Sequence, residues 1–109
     1  GELKHGTLAL IVDQVPVISL CTQHYLEEKM ISNIKEAQTR DGQIFAFAFE
    51  GDTLISEVAD HICYLPKTMD LLAPILTVIP LQLIAYYASV KRGVDVDKPR
   101  NLAKSVTVE

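Results

Sequence analysis

At 109 residues the chain is long enough for one small domain with a core and too short for two. With 49% hydrophobic residues, 22% charged residues and a formal net charge of −4, it lacks the basic excess that binding a nucleic-acid polyanion requires. Its two cysteines, Cys21 and Cys63, lie in apolar runs (VISLC and HICYL), where cysteine behaves as a small buried hydrophobe. No CxxC pair or His/Cys cluster accompanies them, which argues against a zinc site and a disulfide framework and suits the cytoplasm.

The first six residues, GELKHG, form a short polar stretch carrying His5, followed by the apolar Leu8–Ile11. Val15 to Cys21 (VPVISLC) is nearly continuous and rich in β-branched residues, which predicts a strand covered on both faces. Thr22 then caps a predicted helix whose apolar residues Leu26, Met30, Ile34 and Ala37 fall on one stripe. Glu27, Glu28, Lys29, Lys35 and Glu36 make its solvated side, and Asp41-Gly42 ends it, with glycine in the left-handed position.

Gln43 to Phe49 (QIFAFAF) predicts a second buried strand, Glu50-Gly51-Asp52 a turn, and Leu54–Ala59 a short helix. His61 to Leu65 (HICYL) is the third strand, closed by Pro66. From Leu71 to Val90 there is no charged residue, a run long enough to span a membrane. Pro74, Thr77, Pro80, Gln82 and Ser89 interrupt its apolar character, so the expectation is a core helix, kinked or broken at Pro80, with no membrane partner. It ends near Arg92 and Gly93, where Lys91 and Arg92 suit the negative helix end. Strands alternating with helices predict an α/β fold with a parallel sheet. Three strands make a thin sheet, and Gly1 stands where a complete chain has Met, so the expectation is one module cut at its front.

Two residues carry reactive groups in informative places. Histidine, with a reference value of about 6.5, is suited to taking and returning a proton near neutrality, and His5 can equally be a loop histidine bonded to backbone. Lys104 is the single amine among the apolar and β-branched residues Leu102, Val106, Thr107 and Val108. Pro99 keeps a helix from running into this tail, which reads as docked extended chain or as a solvated end. His24 and His61 sit at ordinary structural positions, and Tyr86-Tyr87 suits packing.

The stretch Asp95–Glu109 (DVDKPRNLAKSVTVE) resembles the C-terminus of the isomerising glutamine:fructose-6-phosphate amidotransferases, also called glucosamine-6-phosphate synthases. Gly1–Gly6 with Leu8–Ile11, and Val78–Tyr86 (VIPLQLIAY), resemble the same family in the same order. The resemblance covers essentially the whole chain. It implies a truncated, flavodoxin-like sugar-isomerase (SIS) fold, with residues 1–109 the C-terminal part of the second SIS subdomain and 94–109 an active-site tail.

The implied parent enzyme converts fructose 6-phosphate and glutamine to glucosamine 6-phosphate and glutamate, as a homo-oligomer, without a metal or organic cofactor. By resemblance Lys104 is the isomerase lysine that condenses with the open-chain ketone. Ala103 touches the sugar through its backbone, and His5 assists ring opening in the neighbouring subunit's site. The family's base, phosphate loop and glutaminase cysteine fall outside the chain, so the glutaminase domain and first SIS subdomain are implied partners and the fragment alone is expected to be inactive. Where the family usually has proline after His-Gly, Thr7 stands, which frees the backbone beside His5. A non-catalytic phosphosugar-binding SIS module is the alternative.

Overall fold

A computed structural model describes residues 2–98. By compactness the chain divides into two units, residues 1–77 and 78–109. Lys104 and Ala103, with the rest of the tail from Pro99, lie outside the described residues.

The first unit is built on three parallel strands, β1 (Pro16–Cys21), β2 (Gln43–Phe49) and β3 (His61–Leu65), in the order β1-β2-β3. Register runs from Pro16 opposite Gln43 to Cys21 opposite Ala48, and from Phe45 opposite His61 to Phe49 opposite Leu65. The expected parallel α/β sheet is present, and its second and third strands have the expected bounds. Between β1 and β2 runs helix α1 (Glu27–Gln38). Its Ile34 and Ala37 are buried with Ile44, Ala46 and Ala48 of β2, and Met30 and Ile31 pack against this core from the helix rim. The alternation along β2 explains the match. Isoleucine and alanines leave room for the helix on one face, while Phe47 and Phe49 are buried on the other. Truncating the fully buried Ile34 to alanine removes three such carbons, a loss of about 2–5 kcal/mol.

Polar groups close the sheet at its ends. Ile44 N donates to an Asp60 carboxylate oxygen at 2.7 Å, and Asp60 N donates back to Ile44 O at 3.1 Å, fixing where β3 begins. Gln38 Nε2 donates to Val58 O at 2.9 Å and ties the end of α1 to the turn before β3.

Four local expectations need correction. Strand β1 is not covered on both faces, since Ile18 and Leu20 are exposed on one of them while Ser19 and Cys21 are buried on the other. Thr22 is buried at the end of β1, and a 3₁₀ turn (His24–Leu26) intervenes before α1, which starts at Glu27 without a side-chain cap. At the other end of α1, Asp41 takes the left-handed conformation, φ 59°. Asp41 N donates to Gln38 O and Gly42 N to Ala37 O, the paired bonds of a Schellman end. Gly42 is required for space: a Cβ there would meet Ile11 Cγ2 at 2.8 Å and both Ala37 O and Val17 Cγ2 at 3.2 Å. The predicted helix over Leu54–Ala59 is a single 3₁₀ turn, Ile55–Glu57, which buries Ile55.

Helix α2 (Ala73–Lys91) begins in the first unit and supplies the start of the second. It passes unbroken through Pro80. The proline removes one N–H from the helical ladder, that facing Leu76 O, and the helix continues on its remaining bonds. It ends in a second Schellman pattern, with Gly93 at φ 66°, Gly93 N on Val90 O and Val94 N on Ser89 O. The expected burial is not observed: Ile79, Leu83, Tyr86, Tyr87 and Val90 are 49–62% exposed. The helix is apolar all round and so has no solvent face to spare, which leaves large apolar side chains on its surface. The segment Asp70–Lys91 is long and apolar enough by length and composition to cross a membrane.

Candidate functional site

His5 stands near the start of the first unit, at the end of a 3₁₀ turn (Leu3–His5) that is followed, after Gly6, by a second such turn (Thr7–Leu10). Leu3 and Leu8 pack against the core, while Lys4, His5, Gly6 and Thr7 are exposed. Apolar anchors on either side therefore hold a polar arc outward, with His5 in it. The structure neither buries this imidazole nor gives it a side-chain hydrogen bond among the described residues.

A second polar feature lies where β1 and β2 end, the edge at which parallel α/β sheets usually receive ligands. Here His24, Glu27, Phe49, Asp52, Leu54 and Lys67 are among the residues around a crevice of about 190 Å³. The loop after β2 is shaped by Asp52, whose Oδ1 accepts from Leu54 N (3.0 Å) and Ile55 N (3.2 Å), and by Gly51 at φ 87°. Burial, then a side-chain hydrogen bond with Asp52 and that residue's charge, push the Glu27 carboxyl above the usual carboxylate range.

With Glu27, Glu50 and Asp52 against one amine, Lys67, the crevice is the wrong sign for a phosphate. His5 is not among its lining residues. The turn reading of Glu50-Gly51-Asp52 agrees with this. Sequence reasoning missed the crevice because its groups come from three separate connections, and Glu27 read as a solvated helix residue. The signal available was position, one residue group after each of three strands.

Among the described residues no group of three or more His, Cys, Asp or Glu could hold a metal ion. The two cysteines differ. Cys21 is buried, and desolvation, with the charges of Asp52 and Glu27 adding to it, pushes its thiol up to about 12. Cys63 is exposed, contrary to the expectation of a buried residue. Since the thiolate is the nucleophile, iodoacetamide at neutral pH is expected to modify Cys63 well before Cys21. Peptide mapping over a time course reads this directly, and equal rates would show that Cys21 is not shielded.

The family model described as "SIS domain" matches residues 1–92. All 109 residues align with the protein named glutamine--fructose-6-phosphate aminotransferase [isomerizing] of Symbiobacterium thermophilum, at 61% identity and over 18% of that protein. The same named protein of Caldanaerobacter subterraneus aligns over the whole chain at 58% identity, again over 18% of its length. The chain thus spans about a fifth of these relatives, in their C-terminal part. Among solved structures, the C-terminal domain of glucosamine-fructose-6-phosphate aminotransferase from Francisella tularensis superposes with a TM-score of 0.77 at 34% identity, covering 90% of this chain and 28% of that one.

Proposed function

We infer the function of this chain from the family to which it belongs, the SIS domain proteins: it is part of the isomerase portion of an enzyme that makes glucosamine 6-phosphate and glutamate from fructose 6-phosphate and glutamine. The observation that carries this is the alignment of every residue, without loss at either end, to aminotransferases of that name at 61% and 58% identity. The acidic lining of the crevice among the described residues is in keeping with a phosphate cradle supplied by the remainder of the protein.

In this reading Lys104 attacks C2 of the open-chain sugar, and loss of water leaves an imine that holds the substrate. For the free amine to be available, desolvation or a nearby cation must lower its pKa from the ordinary lysine value of about 10.4. The backbone at Ala103 orients the sugar. His5 moves the proton between the anomeric hydroxyl and the ring oxygen, in the site of a second subunit of a cytoplasmic homo-oligomer. Carbonyl condensation and proton transfer of this kind call for no metal or organic cofactor. Helix α2 is the interior helix of the complete domain rather than a membrane span, a reading supported by the family match that runs through it.

The test is a pair of assays for glucosamine 6-phosphate with glutamine or ammonia as donor. The full-length protein is expected to form it, and the 109-residue chain alone to form none, for want of base and phosphate loop. Product from the chain alone would overturn the placement of the base elsewhere. Sugar phosphate binding without turnover by the full-length protein would replace the enzyme with a binding module.

A further inference from the structure

The arc that carries His5 is tied by few hydrogen bonds, and one of them comes from a side chain with no assigned role. The arc from Leu3 to Leu8 consists of two short 3₁₀ turns joined at Gly6. The junction itself is unpacked, since a Cβ added at Gly6 would meet nothing within 4 Å. Hydrogen bonds bridge it. Leu3 O accepts from Gly6 N at 3.4 Å and from Thr7 Oγ1 at 3.4 Å, so one carbonyl of the first turn is grasped by the first residue of the second. His5 N donates to Glu2 O at 3.1 Å, and Ala9 N to Gly6 O at 3.0 Å, which closes each turn internally without linking the two. Leu3, the acceptor, is itself seated on the core, as is Leu8 beyond the bridge.

We propose that Thr7 is a positioning residue for His5: its hydroxyl, bonded to Leu3 O, locks the second turn onto the first and so sets the direction in which the imidazole is presented. This rests on the reading of His5 as the ring-opening group. Threonine suits the task because branching at Cβ restricts χ1 and keeps the hydroxyl aimed. The bond is long for a hydroxyl donor, so the effect is a modest one on aim rather than on folding.

The test uses the full-length protein and three variants. Thr7→Val keeps shape and branching and removes the donor, and Thr7→Ser keeps the donor. His5→Asn reports on the underlying reading. Thr7→Val is expected to lower kcat for glucosamine 6-phosphate formation about threefold. The KM for fructose 6-phosphate, glutamine hydrolysis and the melting temperature are expected to stay unchanged, and Thr7→Ser to run at the parent rate. On the His5→Asn background Thr7→Val is expected to cost nothing further.

If His5→Asn is slow and Thr7→Val is not, the proposal is wrong and the role of His5 stands. If His5→Asn runs at the parent rate, the role of His5 falls and the proposal with it. A Thr7→Val variant that loses kcat, glutamine hydrolysis and melting temperature together assigns the hydroxyl to stability and overturns positioning.

Discussion

Replacing Lys104 with arginine is expected to abolish sugar isomerisation by the full-length protein while glutamine hydrolysis persists at least in part. The substitution preserves positive charge and length, so simple electrostatic attraction for a sugar phosphate survives. Nucleophilicity does not, because a guanidinium stays protonated at any working pH and has no lone pair to offer a ketone. Removing a covalent nucleophile costs about 10³-fold or more in kcat. In the proposed enzyme glutamine is hydrolysed by a different nucleophile, in another domain, and that reaction is spared to that extent. Borohydride trapping with fructose 6-phosphate, followed by mass spectrometry of the C-terminal peptide, should show the reduced adduct on Lys104 in the parent protein and none in Lys104→Arg. A variant isomerising at near-parental rate would mean that the tail acts as a lid and the amine is incidental.

His5→Asn is expected to lower kcat by about 10²- to 10³-fold, the range for loss of one general acid–base group. Asparagine keeps the polar character of the exposed arc and cannot exchange a proton near neutrality, so KM for the sugar should move far less. The proposed exchange of His5 between subunits makes a sharper expectation. If the assembly is a symmetric dimer, a hybrid of one His5→Asn subunit and one Lys104→Arg subunit contains one site with both groups intact. Equal mixing after reversible dissociation should then restore about a quarter of the parental rate, although each variant alone is nearly dead. Unchanged inactivity in a mixture shown to contain hybrids would place His5 in its own subunit's site.

Much of the first unit was legible because its strands are short apolar runs bounded by turn residues. QIFAFAF and HICYL leave little choice of boundary, and the alternation of strands with helices along the chain pointed correctly to parallel pairing. Errors came where one residue could do two jobs. Thr22 had the chemistry of a cap but is drawn into the buried end of β1, and Gly42 had the freedom for a left-handed turn but is needed for its lack of a side chain, so Asp41 takes the turn.

Pro80 showed the limit of a breaker rule: nineteen residues of helix absorb the loss of one bond. For the site, the role given to His5 came from family resemblance, and the crevice around Glu27 and Asp52 was not legible, because only the fold brings those connections together. Lys104 and Ala103 rest on sequence likeness alone.

The place of β2 between its neighbours also bears on how this protein is kept out of trouble in a cell. QIFAFAF is uncharged, free of proline and glycine, and strongly β-forming, the composition of segments that stack into fibrils. In the folded sheet both of its edges are taken, by β1 and β3. The hazard is therefore governed by its guards rather than by the segment itself: a lesion that frees β1 or β3 opens a template before the rest of the sheet has melted. Quality control of this protein should accordingly be most sensitive to damage in the two outer strands, including chemical modification of Cys63, and comparatively indifferent to damage on the solvent side of α1.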